Sequence, residues 1–121
     1  MFEQRTTNRF EARAKTYAKK HKNELNAVIN NLARLERLLN EGKPLRPPPC
    51  GFLKDEGGGV MRISEAGGGG NLAATRLYIY VVEVAEVIYL LSLGDKNTQQ
   101  EDITECKDLV RQIRGRPKPG G

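Results

Sequence analysis

The strongest constraint on how this chain folds is one periodic run near its N-terminus. Leu25, Val28, Ile29, Leu32, Leu35 and Leu39 recur at spacings of three and four. That period places them on one stripe of an α-helix about four turns long, with Glu24, Asn31, Arg34 and Arg37 on the polar face. Gly42 follows Glu41 as a natural stop, and Pro44 prevents continuation. A helix of this kind is stable only when its stripe is buried against another element. The rest of the chain must therefore supply an apolar surface.

Upstream, Phe10, Ala14 and Tyr17 fall at i, i+4 and i+7, predicting a shorter helix that begins near Asn8. Asn8 and Glu11 stand three apart, as in a capping box. His21, Lys22 and Asn23 mark the bend between the two helices. The economical reading is an αα-hairpin, and the alternative is one long bent helix.

Residues 43–59 read as a connector, with Pro47, Pro48 and Pro49 favouring extended geometry and Gly57, Gly58 and Gly59 adding freedom. Three strands are expected after it, at 60–64, 76–82 and 87–93, because Val, Ile, Leu and Tyr dominate there. The short link 83–86 makes the last two antiparallel neighbours. Gly67 to Gly70 with Asn71 separate the first two. A final helix is expected from about Thr104, with Cys106, Leu109, Val110 and Ile113 on one face and Asp102 and Glu105 capping its start.

The 121 residues suffice for one domain. We place it at 1–113, followed by a flexible basic Pro/Gly tail at 114–121. No apolar run reaches the roughly 18–20 residues a bilayer demands. Cys50 and Cys106 lack metal-ligand spacing, so neither zinc nor another metal is expected, and a reducing cytoplasm is the default setting.

The net charge of +5 is unevenly spread. Residues 1–50 hold 11 Lys/Arg and 5 Asp/Glu, a balance of +6, whereas residues 51–121 hold 9 and 10, a balance of −1. A basic half suits a polyanion, nucleic acid first, or else forms an ordinary solvated helix face. Arg13, Lys15, Lys19, Lys20 and Lys22 are the RNA-binding candidates on that half. Seven of the 13 glycines lie in two clusters, yet neither carries a GxxxxGK[ST] or G-x-G-x-x-G pattern. No nucleotide cofactor is expected.

The order helix, helix, strands, helix acquires a further meaning from the residues that join them. G-V-M-R-I-S-E-A (59–66) precedes a Gly-rich loop. T-R-L-Y-I-Y (75–80), V-I-Y-L-L-S-L (87–93) and D-K-N-T-Q-Q-E-D-I-T (95–104) follow, and G-K-P-L (42–45) comes after the second helix. In order and spacing this set resembles the RelE/ParE superfamily of bacterial toxins, closest to its HigB-like, phage-associated branch. The resemblance covers roughly residues 8–113.

It implies an α+β fold, with two N-terminal helices packed on a small twisted antiparallel sheet and a C-terminal helix. It also implies a short first strand, for which residues 2–6 are the place. The implied activity is metal-free, cofactor-independent cleavage of messenger RNA on the ribosome. The implied partner is a cognate antitoxin that binds operator DNA, and no membrane is involved. The second and third strands' basic positions fall on Arg62 and Arg76, and Lys96 lies where the family places further functional residues.

Each has a plainer reading: a solvent-facing strand residue for Arg62, an ion pair with Glu65 or Glu83 for Arg76, a turn lysine for Lys96. Glu65, Asp95, Tyr78 and Tyr80 are the candidates for proton transfer, with Tyr78 and Tyr80 on one strand face. His21 is a bend residue. Relatives often carry Lys or Arg in the Gly-rich loop and just before the second-strand basic residue. Here those places hold Gly67 to Gly70 with Asn71, and Val60 and Met61. The expected site is thus short of cations. A gyrase-inhibiting, non-catalytic relative and an inactive interaction module are the alternatives on the same fold.

Overall fold

The computed structural model describes residues 1–65 and 75–115. The order is β1 (Glu3–Thr6), α1 (Asn8–Lys20), α2 (Lys22–Asn40), β2 (Leu53–Gly57), β3 (Val60–Ser64), β4 (Arg76–Val82), β5 (Val87–Gly94) and α3 (Gln99–Arg114). The predicted Gly-rich loop and most of the tail lie outside the described residues.

Both N-terminal helices form, and they are separate. His21 leaves helical geometry at φ −138°, ψ 50°, ending α1 and opening α2. Gly42, at φ +90°, follows the end of α2, a left-handed conformation that costs glycine nothing. The cap of α1 is one residue earlier than predicted. Thr7, not Asn8, is the N-cap, and its side chain accepts from the Phe10 amide at 3.0 Å.

The sheet is larger than the three strands expected. It has five, in the order β1-β5-β4-β3-β2, and it is mixed, since β1 runs parallel to β5 while the other pairings are antiparallel. β1 stands where the resemblance places a short first strand. β2 overturns part of the connector reading of 43–59. Its sequence, Leu-Lys-Asp-Glu-Gly, carries almost no apolar signal, yet its backbone pairs with β3. Leu45 and Phe52 are also buried, so the segment belongs to the core. Gly57, Gly58 and Gly59, all at positive φ, turn the β2–β3 hairpin.

Period-two alternation gives the sheet two unlike faces. On one, Met61, Ile63, Leu77, Ile79, Val81, Ile88 and Leu90 meet Val28, Leu32, Leu35 and Leu39 of α2 and Phe10 of α1. On the other, Val60, Tyr78 and Leu91 meet Cys106 and Val110 of α3. Leu91 is the extra residue of a β-bulge opposite Tyr78 and Ile79. One residue assigned to the polar face of α2, Asn31, is buried and donates to the Ser64 carbonyl at 2.8 Å, tying α2 to β3.

α3 starts at Gln99, five residues before the predicted Thr104. Asp102 does not cap it. It lies inside the helix with its side chain 1% exposed. Among the described residues, no helix is long and apolar enough to cross a membrane.

Candidate functional site

The face that carries α3 also carries the charged residues of β3 and β4. Alternation puts Arg62 and Ser64 of β3 and Arg76 and Tyr78 of β4 on it. The register pairs Arg62 with Tyr78 and Ser64 with Arg76. Tyr78 is fully buried, and burial pushes its phenol well above the ordinary tyrosine range. The nearby Asp102 carboxylate pushes the same way, while the charges of Arg76 and Arg62 oppose the rise. Both arginines therefore flank one buried hydroxyl.

Arg62 is not solvent-facing. Its side chain is 15% exposed, and Nη1 lies 3.0 Å from Glu56 Oε2. Glu56 is the bulged residue of β2, sitting where the register shifts between Asp55 and Gly57. The bulge is what turns its carboxylate towards Arg62. Arg62 Nη1 also donates to Gln99 Oε1 at 3.2 Å, which joins the sheet to the first turn of α3.

Arg76 makes neither of the ion pairs considered for it. Glu65 Oε1 instead accepts from the Thr75 amide at 2.6 Å, and Glu83 Oε2 from the Leu45 amide at 3.3 Å. Among the described residues Arg76 has no ion-pair partner.

One region collects the unmet polar groups. Among the described residues, the buried side-chain atoms without a hydrogen-bond partner are Glu56 Oε2, Arg62 Nε, Glu65 Oε2, Thr75 Oγ1, Arg76 Nε and Tyr78 Oη. All belong to β2, β3 and β4 or to the residue next to β3 or β4. Most buried polar groups in proteins are paired, because an orphan forfeits about 1–3 kcal/mol. Glu56 Oε2 is held by its ion pair with Arg62, which leaves five orphans on β3, β4 and the residues beside them, two of them on guanidinium groups.

The other predicted residues have distinct surroundings. Lys96 is exposed in the link between β5 and α3 and shares a groove with Gln99, so it stands near Arg62 through that glutamine. Asp95 is occupied as a turn former, accepting from the Asn97 amide at 2.8 Å and the Thr98 amide at 3.2 Å. Tyr80 does share the face of Tyr78. It stacks on Tyr89 at 6.0 Å between ring centroids, and its hydroxyl accepts from Arg114 Nε at 3.1 Å. His21 lies in the bend with its ring 5.3 Å from that of Tyr17.

The basic half divides in two. Lys15, Lys19, Lys20 and Lys22 are exposed. Arg13 turns inward instead. Its Nη1 lies 3.0 Å from Asp102 Oδ1 and donates to the Leu93 carbonyl at 2.7 Å. Arg9 Nη2 reaches the same Asp102 oxygen at 3.0 Å and also pairs with Glu105. Thr98 Oγ1 donates to Asp102 Oδ2 at 2.7 Å. Two of the positive charges counted as a surface feature are thus committed to fixing α1 against α3.

Sequence reasoning missed Glu56 and Gln99 and gave Asp102 a capping role it does not have. The first two are polar residues without local pattern, and their roles arise from pairing across the fold. Asp102 had a signal: it falls at i−4 from Cys106, on the apolar stripe of α3.

In the comparisons with known proteins, no family model, no curated protein and no solved structure matches the chain.

Proposed function

We propose that the chain is a toxin of a type II toxin–antitoxin system, of the RelE/ParE superfamily and nearest its HigB-like branch, that cleaves messenger RNA on the ribosome and so inhibits translation. The observation that carries this reading is the pair Arg62 and Arg76 flanking buried Tyr78, each with an unpartnered Nε. The order of elements and the motifs that join them support the family.

In such a cleavage the ribose 2′-hydroxyl attacks the adjacent phosphorus and the 5′-oxygen leaves. Negative charge builds on the phosphoryl oxygens, and a fixed guanidinium fork neutralises it without reorganising. Arg76, without an ion pair among the described residues, serves as the main stabiliser of that charge. Arg62, already shared with Glu56, serves to position the phosphate. Tyr78, fully buried with its phenol pushed well above the ordinary tyrosine range, packs between the two arginines and is not the proton donor. Lys96 adds charge at the rim, and Lys15, Lys19, Lys20 and Lys22 dock on RNA phosphates. In this reading the protein works in the cytoplasm. A cognate antitoxin covers the cationic surface and carries the complex to operator DNA.

One observation favours a second reading. The Glu56–Arg62 pair and α3 already occupy much of the face, as suits a non-catalytic relative, either a gyrase inhibitor or an inactive interaction module. Induced expression separates the two. The endonuclease reading expects growth arrest with message cut inside translated codons, relieved by Arg76→Ala in a protein that stays folded. DNA damage without message cleavage favours gyrase inhibition, and full cleavage by Arg76→Ala overturns the site.

A further inference from the structure

We infer that a groove along α3, lined by Lys96, Gln99, Gln100, Thr104 and Lys107, is the track that holds the backbone of single-stranded RNA next to Arg62. The choice of ligand rests on the endonuclease reading above, whereas the site itself rests on four observations. The first is size: the groove encloses about 500 Å³ and is floored by Ile103. That is within the range of sites that hold small ligands.

The second is charge. Lys96 and Lys107 bring two ammonium groups to the lining, no carboxylate joins them, and neither lysine has an ion pair among the described residues. The acidic residues of this helix lie across a ridge. Gln100 and Thr104 are shared with a second hollow, of about 330 Å³, whose other lining residues are Glu101 and Glu105. α3 therefore presents a cationic flank and an anionic flank, and a polyanion is confined to the first.

The third is placement of Lys107 by the triglycine turn. A Cβ at Gly58 would come within 3.1 Å of Lys107 Cγ, so the bare backbone of the β2–β3 turn is what lets the lysine stem lie there. The fourth is continuity. Gln99 lines the groove and also accepts from Arg62 Nη1 at 3.2 Å, so the groove is joined to Arg62 through that glutamine. The amides of Gln99 and Gln100 can donate to phosphate and ribose oxygens beside the two ammonium groups.

The test uses the full chain and a short fluorescein-labelled RNA with 2′-O-methyl riboses, which cannot be cleaved. Fluorescence anisotropy gives its affinity over a range of salt concentrations. Lys96→Gln and Lys107→Gln are each expected to weaken binding severalfold, about tenfold together, and to lower the salt slope by about 0.7 per lysine. Lys43→Gln, remote from the groove, should leave both unchanged. An unchanged affinity and slope for the double variant overturns the groove. Message cleavage in a translation extract is followed in parallel. Wild-type cleavage with unaltered RNA affinity in the double variant overturns the groove alone. Lysine-dependent RNA binding without any wild-type cleavage supports the groove and overturns the endonuclease reading.

Discussion

The two faces of the sheet are held by different physics. Against α1 and α2 the contacts are side chains of Leu, Ile, Val, Met and Phe, sixteen buried residues in one cluster. Against α3 the buried apolar cluster is five residues, and the rest of the attachment is polar. Arg9 and Arg13 reach from α1 to Asp102, Thr98 caps the same carboxylate, and Gln99 meets Arg62. Apolar packing tolerates substitutions that keep volume. A buried charge cluster does not, because each member neutralises another. The first face makes the fold, and the second makes an arrangement of charge in which several buried polar atoms are left unpartnered.

The largest effect should come from cutting the charge cluster. Asp102→Ala takes from Arg9 and Arg13 the buried carboxylate they share, leaving Arg9 with Glu105 and Arg13 with the Leu93 carbonyl, and is expected to cost about 3 kcal/mol, read as a lower urea midpoint. Gly94→Ala should act at the same place, since a Cβ there would overlap Asp102 Oδ2. A loss below about 1 kcal/mol for Asp102→Ala would mean that the cluster behaves as a surface ion pair.

Alkali should loosen the same face next. Burial, reinforced by Asp102, pushes the Cys106 thiol up to about 12 from an ordinary 9.0. Above pH 9 the thiol ionises in the unfolded chain but keeps its proton in the folded one. The stability it contributes is thus complete below pH 9 and lost as pH rises towards 12, a fall on the order of a few kcal/mol. Tyr78, raised by burial in the same way, adds to the decline. Denaturation midpoints across that range should drop less steeply in Cys106→Ala than in the wild type.

A matched pair of conservative changes sharpens the contrast. Leu35→Met, on the apolar face and fully buried, should cost less than about 1.5 kcal/mol. Asp102→Asn, equally conservative in shape, should cost more than that, because the charge is gone and Arg9 and Arg13 remain. Equal losses would erase the distinction between the faces.

The smallest effect on stability separates packing from function. Tyr78→Phe removes a hydroxyl that has no partner among the described residues. Stability should stay within about 1 kcal/mol of the wild type or rise. Message cleavage should likewise stay near wild type, since the buried phenol does not reach substrate. A folded Tyr78→Phe that no longer cleaves would give the hydroxyl a catalytic role.

Elements with a side-chain period were legible from the sequence. α2 announces itself because its stripe must face a core, and β4 and β5 because Val, Ile, Leu and Tyr crowd them. β1 and β2 were hard to read for one shared reason. Edge strands are held largely by backbone pairing, so their side chains need no pattern. All four residues of β1 are exposed, and β2 buries only Leu53. The site divides likewise. Alternation alone puts Tyr78 and Tyr80 on one face, and the family resemblance singled out Arg62 and Arg76. Glu56 arrives by a bulge, Gln99 by the early start of α3, and neither event leaves a trace in residue type.

The sequence by itself determined the helical character of the two N-terminal segments, the two central strands and the excess of positive charge in the first half. These follow from local periodicity and composition, which need no partner to be read. Only the tertiary structure decided how that charge is used. It turned Arg9 and Arg13 inward to Asp102, left Lys15, Lys19, Lys20 and Lys22 in solvent, and gathered Arg62, Arg76 and Tyr78 on one sheet face with polar atoms unpartnered. Electrostatic partners are chosen by distance through the fold, and residues 93 apart in the chain, such as Arg9 and Asp102, are brought together only by the tertiary structure.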